Sequence, residues 1–314
     1  MFGRPLSSRV WRPAVALLIL AVAAVAALTM GRASASASPA ASTPGFGPRC
    51  TQLEKFKAKD FPERPRIQNT YLPLIPGMRS VFEGTVDGVP HRVEFTVTDL
   101  YKKMNGVNVL VVWDTDTSED QLVESELSFF AEDKDGNVWN LGEYPEEYEY
   151  DENGDLIDVS APSTWIAGKK GANAGIHMAD RPVVSSRQYI QGDAPQIDFL
   201  DCAKVVEKTR NRQVCVAFGC FGSVVVTHES NLAVPGDGIQ SKYHAPGRGI
   251  IQIGAVDPPT GEVLELVERK KIRGTPEWGE ALEAALELDE RGYELGVDGG
   301  YNHTTPAKRL PFKR

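Results

Sequence analysis

The sequence predicts a mainly β protein: a strongly curved antiparallel meander sheet, half-barrel or barrel-like, with a C-terminal α-helix. Three observations lead there. Between residues 66 and 272, apolar β-branched runs alternate with polar positions, so in RVEFTVT Val93, Phe95 and Val97 share one face while Arg92, Glu94, Thr96 and Thr98 share the other. Asp-Gly or Asn-Gly marks connections at Asp87-Gly88, Asn105-Gly106, Asp135-Gly136 and Asn153-Gly154. These pairs tolerate the positive φ of tight hairpins, so neighbouring strands should be antiparallel and joined in order. A meander with so many twisted strands cannot stay flat, because twist accumulates until the sheet curls.

The elements follow in chain order. Residues 1–37 read as a signal peptide or an uncleaved N-terminal membrane anchor: Arg4, Arg9 and Arg12 precede the apolar run 13–30, and ASASASPA offers small-residue cleavage sites after Ala35 or Ala37. The run approaches the ~17–25 residues that span a bilayer, and either reading puts the rest of the chain outside the cytoplasm. Residues 38–65 form a Pro/Ser/Gly-rich linker and a short helix in TQLEKFKAKDF. The antiparallel domain covers 66–272, with strands expected in SVFEGTV, VNVLVVWD, VESELSFFA, NVWNLG, EEYEY, DLIDV, AKVVEKT, QVCVAF, GSVVVTHES, GIQSKYH, GIIQIGA and GEVLELVER. The stretch 163–195 has no clean period and is expected as a long loop over the sheet. Residues 273–314 are a helix and a basic tail. Thr275 suits an N-cap, Pro276 the first helical position, and Arg291-Gly292 the exit. Trp278, Ala281, Leu282, Ala285, Leu286 and Leu288 make an apolar stripe suited to packing on the strands. The tail AKRLPFKR is a candidate partner for the acidic run 143–158.

Charge excludes one class of function. The chain has 314 residues and a formal charge of -9, and removing the four arginines of residues 1–37 leaves 30 bases against 43 acids. So acidic a chain argues against sequence-independent nucleic-acid binding. All four cysteines follow the apolar run, an even number suited to an oxidising compartment. The bend in VCVAFGCFG favours Cys215 with Cys220, which leaves Cys50 with Cys202. A zinc site of Cys215, Cys220 and His228 is the alternative, but C-x4-C has no second pair here.

Candidate sites are few. AEDKDGNVWNLGE clusters oxygen ligands, yet Gly136 comes too soon after Asp133 for a helix-loop-helix calcium loop, and the flanks read as strand. A hairpin is expected, with Asp133, Asp135 and Asn137 the candidate ligands of a non-helical calcium site. Catalytic motifs are absent, and His91, His177, His228, His244 and His303 are scattered singly. His177 is the histidine to test, since a hydrolase would need it to meet a carboxylate and Ser163, Ser185 or Ser186. A curved sheet with a covering loop makes a concave pocket that Trp113, Trp139, Trp165, Phe129, Phe130, Tyr148 and Tyr150 are placed to line, with His177 on the covering loop. No cofactor is implied.

Four segments carry a resemblance: NTYLPLIPGMRSVFEG (69–84), DKDGNVWNLGE (133–143), TWIAGKKGANAGIHMA (164–179) and KYHAPGRGI (242–250). In wording and order they resemble a family of functionally uncharacterised exported bacterial proteins, over about 69–267. The resemblance implies one extracytoplasmic domain and supplies no catalytic residue. Cys215 and Cys220, and the tail after 272, depart from the family pattern. The expectation is an exported, non-enzymatic β protein binding an apolar small molecule or an envelope component. A protein or cell-wall interaction module is the alternative. The sequence leaves the oligomeric state open.

Overall fold

The computed structural model describes residues 46–258 and 261–311. The expected signal or anchor, most of the linker, and the end of the basic tail lie outside them. The chain opens with β1 (Met78–Val86), β2 (Val89–Met104), β3 (Val107–Ser118), β4 (Gln121–Glu132) and β5 (Val138–Tyr150). After β6 (Leu156–Ser160) and β7 (Trp165–Ile166), which pair only with β5, come β8 (Asn173–Met178), β9 (Tyr189–Ala194) and β10 (Phe199–Lys208). A separate hairpin of β11 (Val214–Val216) and β12 (Gly219–Phe221) leads to β13 (Val225–Asn231), β14 (Ile239–Ala245), β15 (Gly249–Asp257) and β16 (Glu262–Lys271). Around the wall the order is β1-β16-β15-β14-β13-β10-β9-β8-β5-β4-β3-β2, and β2 returns to β1, so twelve antiparallel strands close a barrel. Closure leaves the sheet without an outermost strand, although β15 and β16 pair at only two positions.

Turn chemistry sets the register. Asp87-Gly88 and Asn105-Gly106 both take positive φ at both positions, as two-residue hairpins require. Glu119 and Asp120 make the same turn between β3 and β4 without glycine, which is why no turn signal marked it.

Several elements differ from expectation. The stretch 163–195 supplies two wall strands, β8 and β9, as well as β7. Its glycines, which broke the period, are places of close approach. A Cβ at Gly175 would fall 2.4 Å from the Gln191 backbone carbon, and one at Gly192 2.9 Å from the Trp165 ring. NVWNLG and EEYEY are halves of the single strand β5. The helix expected in TQLEKFKAKDF is only a 3-10 turn, Ala58–Asp60, because Phe56 and Phe61 are held edge-on against Trp139 at 5.5 and 6.1 Å.

Helix α1 (Pro276–Leu295) outruns its expected exit. Gly292 is instead buried beneath the Tyr301 ring, where a Cβ would lie 2.5 Å from Cε1. Thr275 occupies the N-cap, yet its hydroxyl donates to the Ile272 carbonyl at 2.7 Å and caps nothing. Trp278, Ala281, Leu282, Ala285 and Leu288 are buried as the stripe requires, whereas Leu286 is exposed. The helix packs on the outer faces of β2 and β4. Buried Lys102 of β2 pairs with Asp289 of the helix, with Tyr301 4.0 Å beneath the ammonium. The described part of the tail, which ends at Pro311, shows no bond to the acidic run. β17 (Lys308–Arg309) pairs with Tyr101 and Leu100 of β2, and Arg309 grips buried Asp99 at 2.8 and 3.1 Å. The acidic run meets the helix, where Arg291 holds Glu146.

Candidate functional site: the barrel interior and its cleft

Period two carries the wall residues alternately outward, into a layer beneath α1, and inward. Leu110, Val112, Asp114 and Asp116 of β3 face inward, opposite Phe130, Ser128, Glu126 and Glu124 of β4. On β3 and β4 the inward positions therefore change from apolar to acidic, and the interior has two halves.

The acidic half contains Asp114, Asp116, Glu124, Glu126, Glu143, Asp201, Glu229 and Glu262, all buried, with Lys242, His91 and His244 as the basic groups among them. Lys242 pairs with Glu229 at 2.8 Å and His91 faces Asp116 at 3.4 Å. Burial opposes the charge on Glu229, but Lys242 and then His177 and His244 outweigh it and hold the carboxyl down at about 2. Burial pushes Glu126 and Asp201 up to about 8. Asp114, Glu124, Glu143 and Glu262 are raised well above the ordinary range, first by burial and then by neighbouring carboxylates, chiefly Glu126 for Asp114 and Glu143 and Asp116 for Glu124 and Glu262. Carboxyls this close and this dry cannot all ionise at neutral pH.

The apolar half ends in a cleft. Every strand that begins or ends with Met78, Met178, Tyr189, Lys208, Val225, Ala245, Gly249 or Lys271 does so at this end, as the antiparallel register requires. Residues 67–74 cross it as a plug, with Ile67, Tyr71, Leu72 and Leu74 buried in the interior cluster. Asn69 fixes the plug: its side chain accepts from the Tyr71 and Leu72 amides and donates to the Gly136 carbonyl at 2.8 Å. Beside it lies a cavity of about 30 Å³ lined by Leu72, Leu74, Phe82, Phe95, Val97, Phe130, His177 and Ile250, with Arg248 and Arg269 at its rim.

The wall is thin here. β15 and β16 pair at Gln252–Glu265 and Ile253–Leu264, while the Leu266 carbonyl accepts from Phe218 of the β11–β12 hairpin at 3.0 Å. The seam thus parts toward the cleft, between the strand ends that carry the two arginines. Arg269 is held below its ordinary value first by burial and then by neighbouring Arg248. Neither arginine pairs with a carboxylate among the described residues.

Of the residues proposed from sequence to line a pocket, His177 and Phe130 do so. Trp139, Trp165 and Phe129 are fully buried in the outer layer, Trp165 against Phe199 at 5.5 Å and Phe129 against Tyr301 at 6.0 Å. Trp113 is also on the outer face, donating to Ser125 at 3.0 Å, and Tyr148 donates to Glu146 at 2.8 Å. Except for Trp165, whose segment reads as loop, their strands are where the sequence predicts them, but alternation alone does not say which face turns inward. Burial pushes His177 down to about 3, and neither ring nitrogen has a partner among the described residues. Ser163 donates to Glu147, and the Ser185 hydroxyl accepts from the Arg187 amide in an exposed loop with Ser186, so none of these three serines is bonded to His177. Asp133 is surrounded by donors: the amides of Asp135 and Asn137, the Asn137 side chain and the Trp139 ring at 2.7 Å. It holds the hairpin of which Asp135 and Asn137 are part. Cys50 pairs with Cys202 and Cys215 with Cys220. Sequence reading missed Arg248 and Arg269. Their only signal was an arginine in a glycine-rich bend and another near the end of a strand.

No family model and no curated protein matches the chain. Two solved structures resemble it. A candidate exported protein with a YmcC-like fold from Bacteroides fragilis is 11% identical with a TM-score of 0.35, over 65% of this chain and 100% of that one. A candidate lipoprotein from Parabacteroides distasonis is 10% identical with a TM-score of 0.29, over 64% and 99%. Likeness of this degree fixes neither activity nor ligand. Among the described residues no helix is long and apolar enough to cross a membrane; the apolar run 13–30 lies outside them.

Proposed function

We propose that this is an exported, non-catalytic binding protein whose ligand is an amphiphile with an acidic head and an apolar tail, held in the cleft. The observation that carries the reading is the pair Arg248 and Arg269, adjacent and without a carboxylate partner among the described residues, at the mouth of an apolar interior. Two guanidiniums placed together disfavour each other until an anion joins them, and a carboxylate or phosphate accepts from both. The two disulfides suit an oxidising compartment.

The tail goes between Phe82, Phe95, Val97 and Ile250. A cavity of about 30 Å³ has room for little more than one water, so an acyl chain enters by displacing Leu72 and Leu74 of the plug. The parted β15–β16 seam gives it a path. The carboxyl layer beyond Phe130 and His177 stops the tail, which favours short or bent chains.

The test is titration of the purified protein with decanoate and with decanol, read by native mass spectrometry and calorimetry. Decanoate is expected to bind at least tenfold tighter than decanol, and Arg248→Glu/Arg269→Glu to abolish that preference with the fold intact. Equal binding of the two ligands, or a preference that survives the double reversal, would overturn the assignment of the head site.

A further inference from the structure

We infer that the cleft end of the barrel docks on the surface of an anionic phospholipid bilayer. The inference rests on how charge is divided between the two ends. At the far end, the segments 87–88, 119–120, 151–155, 195–198 and 232–238 join the strands, and they contain Asp87, Glu119, Asp120, Asp151, Glu152, Asp155, Asp198 and Asp237 without one lysine or arginine. The cleft end is more basic, although the β4–β5 turn places Asp133 and Asp135 there beside Lys134. Arg187, Lys208, Arg210, Arg248 and Arg269 gather there with no carboxylate partner among the described residues, in a chain whose net charge is -9. Arg181 and Arg212 add to them but are paired, with Asp180 and Glu207.

Opposite charge at opposite ends makes a dipole along the barrel axis, which turns the cleft end toward a negative surface before contact. Once there, two apolar side chains are ready to enter the headgroup layer. Val183 and Val184 are 70% and 52% exposed at the tip of the β8–β9 loop, between Arg181 and Arg187. A β-branched pair projecting into water between arginines gains nothing in solution, whereas an interface buries the valines and neutralises the arginines together. The loop is tied to the wall by the Ser185 amide, which donates to the Val205 carbonyl, and by Arg187, which donates to the Gln52 carbonyl at 2.9 Å. The tip is thus presented on a fixed base.

This docking does not require the cleft to bind an amphiphile, and its test is separate. The chain from Ser38, which keeps every described strand, the helix and both disulfides, is sedimented with vesicles of phosphatidylcholine alone or mixed with phosphatidylglycerol. Binding is expected only with phosphatidylglycerol, and it should fall steeply as salt rises. Each basic group near such a surface contributes about fivefold in partition, so Arg187→Glu/Arg210→Glu should reduce binding at least tenfold. Val183→Asp should reduce it severalfold. Lys169→Glu/Lys170→Glu, the same charge change placed on the connection between β7 and β8, should leave most of it. No sedimentation at low salt, which would point to a protein partner for this face, overturns the inference. So does equal binding to both vesicles, or equal loss in the two double variants. Decanoate titration of Arg187→Glu/Arg210→Glu tells the two proposals apart, because that variant keeps Arg248 and Arg269.

Discussion

Replacing Glu126 by glutamine should remove a measurable share of the pH dependence of stability. Glu126 projects into the barrel from β4, is 2% exposed, and accepts a hydrogen bond from Ser128 at 2.7 Å. Burial is the first cause that lifts its carboxyl to about 8. A carboxyl whose folded value is raised binds more protons in the folded state, so the stability it supports is complete below its ordinary value and is lost as pH rises through the folded one. The window therefore runs from about 4.5 to 8. Across it the slope approaches ~1.4 kcal/mol per pH unit, and between pH 5 and 8 the loss assigned to this one group is roughly 3 kcal/mol after allowing for partial titration at each end.

Glutamine matches the shape, still accepts from Ser128, and does not titrate. For a domain of this size, roughly 3 kcal/mol corresponds to a melting shift of about 6–12 °C. Melting temperature is measured for both proteins at intervals from pH 5 to 8.5 in one buffer series. Native protein should fall with pH, and Glu126→Gln should fall by about 6–12 °C less. Parallel curves would show that the carboxyl is ionised and solvated in the folded state, and the description of the acidic half as dry would be wrong. Asp201, also pushed up to about 8, and the raised carboxyls of Asp114, Glu124, Glu143 and Glu262 keep a slope in the variant.

Three further outcomes follow from the packing. Gly292→Ala drives a Cβ to within 2.5 Å of Tyr301 and should cost about 1–3 kcal/mol in urea unfolding, whereas Gly279→Ala, where a Cβ meets nothing within 4 Å, should cost nothing. Lys102→Met leaves Asp289 buried without its cation and should cost about 3–5 kcal/mol, a loss that the combined Lys102→Met/Asp289→Leu should partly recover. Removing the Cys50–Cys202 link, whose ends are 152 residues apart, frees a loop worth up to about 5 kcal/mol in chain entropy. Removing Cys215–Cys220, five residues apart, should matter much less to melting.

What was legible in the sequence was local. Alternation in RVEFTVT and VESELSFFA located β2 and β4, and Asp87-Gly88, Asn105-Gly106, Asp135-Gly136 and Asn153-Gly154 located the β1–β2, β2–β3, β4–β5 and β5–β6 turns. Both disulfides could be guessed, one from a hairpin and the other by elimination. What was not legible depended on closure. Trp139 and Phe130 stand on neighbouring strands with similar hydrophobicity, yet one is outside the barrel and the other inside, and only the curvature of the finished sheet separates them. The acidic half was hidden for the same reason. Glu124 and Glu126 fall on the polar face of VESELSFFA, which the period assigns to water, while a closed wall turns that face inward. The short strands β8 and β9 escaped notice because their glycines serve close contacts with Gln191 and Trp165, and a glycine interrupts the pattern by which a strand is read.

His177 brings these lines together. It was singled out as the histidine in a long loop, and the structure puts it on a wall strand at the boundary of the two halves, 5.4 Å from the Phe130 ring. With its value pushed down to about 3 it is neutral across the physiological range, and two buried ring nitrogens without partners among the described residues cost stability. His177→Leu, which fills the same space without polar atoms, should therefore raise stability by about 1–2 kcal/mol. Its effect on decanoate distinguishes two orientations of the ligand. If the carboxylate sits with Arg248 and Arg269, the tail lies against residue 177 and leucine leaves affinity unchanged or improves it. If the head instead travels inward to donate to or accept from the imidazole, leucine should lower affinity tenfold or more while Arg248→Glu/Arg269→Glu does little. The first outcome makes His177 the floor of an apolar cleft; the second would reverse the ligand and return the histidine to the centre of the site.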